Sequence, residues 1–174
     1  AALADGLGHD RAAEELLHRV LELAPDDDDV ARVLGEIYRR RRDGQRDLEM
    51  LELQLAGARR SLAGPAREAE LLCELAQVLL RGGDAAGAVT RLQEARARAP
   101  EAPRARRALA EAAAAAGDFD LVAQALAGLA GDESVLAAER ADFLLELASV
   151  LADRLADRVG ARDALRRAAG LYPP

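Results

Sequence analysis

Apolar and small side chains recur every three or four positions along this chain, in stretches separated by short polar breaks. This spacing places them on one face of an α-helix, and the breaks hold the glycine, aspartate and proline residues that end or begin helices. The pattern predicts helices over residues 1–7, 10–24, 28–41, 45–62, 66–81, 84–99, 103–116, 118–130, 133–156 and 157–171. Tight turns join them, so we expect neighbouring helices to pair in antiparallel fashion.

A set of positions in the middle of the chain recurs in the unit that follows. The set Leu75, Ala76, Gly83, Asp84, Ala88 and Leu92 returns as Leu109, Ala110, Gly117, Asp118, Val122 and Leu126. We expect Gly83 and Gly117 to end the first helix of each unit in a left-handed conformation. Asp84 and Asp118 are expected to cap the second helix. Each unit is therefore predicted to consist of a helix, a tight turn and a second helix.

A second, longer period relates alternate units. Ala13, Leu17 and Pro25 return as Ala88, Leu92 and Pro100, and Leu34, Asp43 and Leu51 return as Leu109, Asp118 and Leu126. Such self-similarity predicts one repeat array built from a duplicated two-unit block. The units span about residues 1–27, 28–65, 66–102, 103–131 and 132–174, with Pro25, Pro100 and Pro173 closing alternate ones. Because the first residues read as the middle of a helix, we expect the chain to be a fragment of a larger protein.

These repeats resemble the tetratricopeptide repeat, a 34-residue unit of two helices. The first-helix signature matches Leu34, Gly35 and Tyr38, and the second-helix signature matches Ala88, Leu92, Ala95 and Pro100. The resemblance covers about four and a half units and implies an all-α fold, a right-handed α-solenoid of stacked antiparallel helix pairs. The sequence departs from the family at the turn of the second unit, where Arg42 replaces the usual glycine. Gly44 is expected to substitute for it.

Composition narrows the class of protein. The chain has 42 Ala and 30 Leu among 174 residues and only four aromatic residues, which excludes a β-sandwich or barrel. The formal charge of −7 argues against nucleic acid or an anionic membrane as a partner, and no apolar run is long enough to span a bilayer. One cysteine excludes a disulfide framework and favours a cytoplasmic location, although the compartment stays open. Arginine without lysine indicates a GC-rich, bacterial genome.

Residues with catalytic or metal-binding chemistry are few. His9 and His18 lie nine positions apart, so they cannot share a helix face, and we interpret both as solvated. Cys73 has no histidine nearby and is interpreted as a structural thiol. Residues 26–29 are interpreted as a helix cap with favourable first-turn charges, and residues 39–42 as cations at a helix end, with an anion site as the alternative. We therefore predict that the chain is not an enzyme and has no cofactor or metal site.

Gly6, Leu7 and Gly8 partly resemble a phosphate-binding loop. No strand precedes them, as such a loop requires, so we interpret them as the turn between two helices.

In proteins that resemble this chain, the first helices of the units line a groove that receives a peptide or a partner protein. Carried over position by position, the resemblance implies a groove lined by Arg32, Glu36, Arg39, Arg40, Gln77, Arg81, Arg104, Arg107 and Glu111. The family's two-carboxylate clamp uses Lys and Asn, and this chain has neither, so that function is excluded. The arginines could still bind an acidic segment through charge-assisted hydrogen bonds. The alternative is a solvated face of mixed charge.

The leading functional prediction is a non-catalytic scaffold that binds another protein or a peptide through this groove. One alternative is a structural spacer or a self-associating segment that stacks through its repeat ends. Leu16, Leu17 and Val20 support that alternative, because the first unit leaves them partly uncovered. Another is a regulatory module attached to a larger multidomain protein.

Overall fold

The computed structural model describes residues 2–24, 27–100 and 102–171, and these residues form nine α-helices and no strand. The helices are α1 (Ala2–Leu23), α2 (Asp28–Arg41), α3 (Gly44–Arg60), α4 (Pro65–Arg81), α5 (Ala85–Arg98), α6 (Pro103–Ala116), α7 (Phe119–Ala130), α8 (Ala137–Asp153) and α9 (Arg158–Leu171). The prediction of an all-helical protein is confirmed. The predicted unit ends at Pro25 and Pro173 and the beginning of the acidic run at Asp26 lie outside the described residues.

Each helix packs against the next one along the chain, and α4 also packs against α6. Contacts confined to nearby helices are typical of a repeat array, in which successive helix pairs stack in a row. The pairs are α2 with α3, α4 with α5, α6 with α7, and α8 with α9.

Helix ends follow the local signals in the sequence. Gly83 and Gly117 have φ angles of 85° and 76°, the left-handed conformation in which glycine carries no steric penalty. The side chain of Asp84 accepts a hydrogen bond from the Gly87 amide at 2.8 Å, and that of Asp118 accepts one from Leu121 at 3.0 Å. Both predicted turn glycines and both predicted caps are confirmed.

Three expectations about local structure are wrong. The predicted helices 1–7 and 10–24 are one helix, α1, because a glycine within good helix formers costs about 1 kcal/mol without ending the helix. Gly44 does not replace the turn glycine, since Arg42 itself adopts the left-handed conformation, with φ of 59°. The predicted helix 133–156 is shorter, because hydrogen bonds from the Ser134 amide and hydroxyl to Asp132 hold a turn before α8.

The buried side chains form two clusters. The larger one runs from α3 to α9 and consists of Leu, Ala and Val with Cys73. The smaller one joins α2 and α3 and contains Ala31, Leu34, Tyr38 and Met50, with partly buried side chains from α1 against it. Small side chains are part of this interior: Ala76, Ala88, Ala95 and Ala110 are all buried in the larger cluster.

Candidate interaction surface

The nine residues predicted to line the groove all have exposed side chains on α2, α4 and α6. Exposure is necessary for binding, but it does not test whether these side chains form one binding groove, which stays a prediction. Their partners show which of them the fold brings together.

Arg39 joins three helices. Its guanidinium donates to both carboxylate oxygens of Asp47 on α3, each at 3.4 Å, and to Glu74 on α4 at 3.3 Å. Asp47 is only 1% exposed, so its charge depends on these donors. Arg81, at the end of α4, lies 3.8 Å from the same carboxylate. Burial lowers the pKa of Arg39, but the hydrogen bond and charge of Asp47 outweigh this effect and raise it.

Arg107 makes a similar connection between α6 and α8. Its guanidinium lies 3.7 Å from the carboxylate of Glu139 and 5.3 Å from the ring centroid of Phe143, which is cation–π distance. Arg32 instead stays within its own helix, where it contacts Asp29 at 3.2 Å and Glu36 at 3.3 Å. The fold therefore brings Arg39 together with Arg81 and Arg32 together with Glu36.

The remaining predicted residues are less connected. No hydrogen bond or ion pair between described residues joins Gln77 or Glu111 to the others. Arg104 on α6 acts electrostatically on Cys73 of α4: burial raises the pKa of this thiol, and the charge of Arg104 opposes the rise. Cys73 is buried, as expected of a structural thiol.

A cleft of about 890 Å³ opens at the edge of the array, between the turn that joins α2 to α3 and the turn that joins α4 to α5. Its lining residues come from both turns and from the adjoining helix ends. They are Arg39, Arg42, Asp43, Gly44, Gln45, Asp47, Leu48, Val78, Leu79, Arg81, Gly82 and Asp84. The sequence did not indicate this cleft, because its residues have ordinary roles at helix ends and meet only when two units stack.

A buried carboxylate that the sequence analysis missed holds α1 against α2 and α3. Glu14 accepts hydrogen bonds from Tyr38 at 3.1 Å, from Arg46 at 2.8 Å and from Arg41. Burial raises its pKa, but the hydrogen bonds from Arg41 and Tyr38 and the nearby positive charges outweigh this and lower it. Burial and the charge of Glu14 raise the pKa of Tyr38.

His18 was interpreted as a solvated side chain, and the structure shows it partly buried and in contact with Tyr38. Its Nε2 atom lies 2.5 Å from the hydroxyl oxygen of Tyr38. Because that hydroxyl donates to Glu14, the imidazole N–H donates to the remaining lone pair of the oxygen. Glu14 and His18 are four positions apart, the spacing of a shared helix face, and that spacing was the available signal. The side chain of His9 lies outside the described residues.

The charged runs at the ends of α2 have the structural roles that the sequence predicts. Asp27 caps this helix by accepting a hydrogen bond from the Val30 amide at 3.0 Å. Arg39, Arg40 and Arg41 occupy its last turn, where cations offset the helix dipole. Across the described ranges, no group of three or more His, Cys, Asp or Glu side chains is arranged to hold a metal ion. A search of the same residues found no helix with the length and apolarity to cross a membrane.

Comparison with solved structures defines the fold. The chain superposes on MamA from Desulfovibrio magneticus RS-1 with a TM-score of 0.63 and 17% identity, covering 94% of this chain and 86% of that one. It matches YrrB, described as a TPR protein with an unusual peptide-binding site, with a TM-score of 0.66 and 19% identity over 99% and 82%. It matches BtubC from P. vanneervenii with a TM-score of 0.62 and 17% identity, covering 99% of this chain and 79% of that one.

These matches place the chain among the α-solenoids. More specifically, the chain has the tetratricopeptide-repeat fold, as the resemblance in its sequence implied. No protein-family model matches the chain, and neither does any curated protein. Because the sequence identities to these proteins are only 17–19%, the matches establish the fold and nothing further.

Proposed function

We propose that this chain is a non-catalytic scaffold that binds a partner protein along the exposed face of its first helices, and that the partner contributes an acidic segment. A stacked row of helices provides an extended surface, which suits an extended ligand. YrrB, which shares the fold, is described as having a peptide-binding site. The exposed polar residues of α2, α4 and α6 supply the chemistry.

One observation carries the proposal. Arg39 and Arg107 each extend from a first helix to a carboxylate on the next first helix, at 3.3 Å for Glu74 and 3.7 Å for Glu139. Between units of this surface, guanidinium groups are thus already at the distance at which they bind carboxylates. An acidic segment that crosses the units would offer the same group in the same positions.

Binding of this kind is weak per contact and sensitive to salt. An exposed ion pair contributes roughly 0.2–1 kcal/mol, and part of that gain is offset because Glu74 and Glu139 must be displaced. Only a segment with several acidic residues would therefore bind well. Its affinity would fall as the ionic strength rises, since salt screens exposed charges.

Fluorescence anisotropy with a labelled dodecapeptide of alternating Glu and Leu tests the proposal. We expect saturable binding that weakens about tenfold when Arg104 and Arg107 are both replaced by Glu, because two attractive contacts become repulsive. The same peptide with Gln in place of Glu should bind at least tenfold more weakly to the unmodified protein.

A matched control separates local contacts from net charge. Arg96→Glu with Arg162→Glu changes the charge by the same amount at exposed positions on second helices, α5 and α9. This pair should leave the affinity within about twofold. Equal losses in both double variants, or no loss in Arg104→Glu with Arg107→Glu, would contradict the proposed surface.

A second candidate function is self-association through the exposed apolar side chains of α1. On α1, Leu16 and Leu23 are 63% and 88% exposed, and Val20 is also exposed. Apolar side chains left exposed on a helix of a repeat array favour stacking on another repeat. Light scattering over a concentration series should show a mass increase that Leu16→Glu with Leu23→Glu abolishes. A monomer at every concentration would exclude this function.

A further inference from the structure

The cleft between the two turns combines an apolar side with three guanidinium groups. Leu48, Val78 and Leu79 supply the apolar side chains, and Arg39, Arg42 and Arg81 supply the cations. Its volume of about 890 Å³ lies within the range of sites that hold small ligands. The cleft opens at the two turns and shares only Arg39 and Arg81 with the nine predicted groove residues.

The carboxylates that line the cleft already have partners. Asp47 is buried and accepts two hydrogen bonds from Arg39. Asp43 caps α3 by accepting from the Arg46 amide at 3.2 Å. Asp84 caps α5 through the Gly87 amide at 2.8 Å. All three carboxylates therefore already have hydrogen-bond donors within the protein, and Asp47 has a cationic partner.

Two of the guanidinium groups are less engaged. Arg42 makes no ion pair with any described residue. Arg81 approaches a carboxylate only at 3.8 Å, and its side chain is 60% exposed. Arg42 and Arg81 therefore have hydrogen-bond donors available for a ligand, whereas the lining carboxylates already accept hydrogen bonds within the protein. An arginine presents its donors in a planar fork, which matches the two oxygens of a carboxylate.

We infer that this cleft binds a carboxylate carried next to an aliphatic side chain, such as the carboxyl terminus of a peptide that ends in leucine. The guanidinium groups of Arg42 and Arg81 hold the carboxylate, and Leu48, Val78 and Leu79 receive the aliphatic group. An acidic side chain beside an aliphatic residue offers the same chemistry. The inference rests on the proposed function for the nature of the ligand, a protein segment. Its site shares Arg39 and Arg81 with the first-helix surface, whereas Arg42 and the three apolar side chains lie outside the nine predicted groove residues.

Titration of the intact chain with short peptides tests this site directly. The probes are N-acetyl-Leu-Leu with a free carboxylate, N-acetyl-Leu-Glu amide, and N-acetyl-Leu-Leu amide as the neutral control. We expect at least one anionic probe to shift the Nε–Hε NMR signals of Arg42 and Arg81 in a saturable manner. Which of the two binds better distinguishes a chain terminus from an acidic side chain. The neutral amide should bind at least about tenfold more weakly.

The double variant Arg42→Gln with Arg81→Gln should weaken binding of the anionic probe about tenfold, because both charged donors are lost. Asp47 keeps its two hydrogen bonds from Arg39 in this variant, so the fold should persist, and an unchanged circular dichroism spectrum would verify it. Arg96→Gln, an exposed arginine on α5, is the matched control and should leave the affinity unchanged.

Three results would overturn the inference: no shift of either arginine signal by any anionic probe, equal binding of the acid and the amide, or full affinity in the double variant. The variants of the proposed function, at Arg104 and Arg107, lie outside the cleft. If Arg104→Glu with Arg107→Glu loses dodecapeptide binding but keeps binding of the short probes, the first-helix surface and the cleft are separate sites. Loss of short-probe binding alone in Arg42→Gln with Arg81→Gln would show the same.

Discussion

The junction of α1 with α2 and α3 and the interior that runs from α3 to α9 are stabilised in different ways. That interior consists mainly of Leu, Ala and Val packed around Cys73, and the buried carboxylate of Glu68 on α4 lies 3.5 Å from Arg59 and 3.4 Å from Arg98. Around α1 to α3 the apolar cluster is small, and beside it Glu14 accepts hydrogen bonds from Tyr38, Arg41 and Arg46. The attachment of α1 thus depends on a partly desolvated charge and its donors.

This difference has consequences for how each region responds to its surroundings. Apolar packing is nearly independent of pH and salt, whereas a buried carboxylate stabilises only while it is ionised and its donors are in place. We therefore expect α1 to detach when a change of pH or salt weakens this ion-pair cluster, while α4 to α9 stay folded. Local opening of this kind is common where few apolar contacts hold an element.

The largest effect is expected in the apolar region. Leu109→Ala removes a fully buried side chain from α6 and should lower the free energy of unfolding by about 3 kcal/mol, since a cavity remains. Urea denaturation measures this change. Leu136→Ala, at a side chain that is 72% exposed, is the control and should change stability by less than about 0.5 kcal/mol. A small loss for Leu109→Ala would mean that the region repacks.

A smaller and local effect is expected at Glu14. Glu14→Gln keeps the shape of the side chain but leaves Arg41 and Arg46 without their anionic partner, which should weaken docking of α1 by about 2 kcal/mol. Hydrogen exchange should show faster exchange in α1 and unchanged protection in α6. Glu22→Gln, at an exposed position of the same helix, controls for loss of charge. Uniform destabilisation of both regions would contradict the comparison.

The pH dependence should also separate the two regions. Since the pKa of Glu14 is lower in the folded protein than its ordinary value of 4.5, its ionised form stabilises the docked helix fully above about pH 4.5. This contribution falls as the pH decreases through the lowered pKa. Hydrogen exchange measured between pH 6 and pH 3, corrected for intrinsic rates, should show α1 losing protection first. Simultaneous loss in α1 and α6 would contradict this order.

Tyr38 should make docking of α1 depend on pH in the opposite direction, with stability lost as the pH rises. Its pKa is raised in the folded protein, so its neutral hydroxyl stabilises the docked helix below about pH 10. That contribution declines as the pH rises further. The tyrosine absorbance should follow this ionisation, and hydrogen exchange over the same pH range should show α1 losing protection as Tyr38 ionises.

The helices and their caps could be predicted from the sequence because their signals are local. Asp84, Gly117 and Asp118 act on backbone groups within a few residues, so spacing alone identifies them. Glu14 and Asp47 could not be identified as buried, because their partners include arginines on other helices, distant in the sequence. The repeat period predicts which apolar positions are buried, but it does not predict which charged residues become buried when the units stack.

The candidate site was predictable in part for the same reason. Positions on the first helices follow from the repeat, and all nine are exposed. Their pairing does not follow: Arg39 and Arg107 contact carboxylates on the next first helix, Glu74 and Glu139. The cleft depends on two turns that meet only when α2 to α5 stack, so local patterns contain no trace of it.

A modest gain in stability is expected at the turn after α2. Arg42 adopts the left-handed conformation that Gly83 and Gly117 adopt in the later units, and a side chain there is strained. Arg42→Gly should raise the free energy of unfolding by about 0.5–1 kcal/mol, the relief of strain being partly offset by the entropy of glycine. Urea denaturation measures the gain. Gly117→Ala is the reverse change and should destabilise by a similar amount.

The smallest effect concerns recognition rather than stability. Glu74 accepts a hydrogen bond from Arg39 on the first-helix surface. Glu74→Gln should weaken this contact and leave the Arg39 donor available to an acidic ligand. Asp47 still holds Arg39 in place through two hydrogen bonds of 3.4 Å, which keeps the guanidinium oriented. We expect affinity for the Glu–Leu dodecapeptide to rise two- to threefold, about 0.5 kcal/mol, in anisotropy titrations. Glu133→Gln, an exposed carboxylate before α8, controls for net charge. Lower affinity in Glu74→Gln would mean that Glu74 positions Arg39 rather than competing with the ligand.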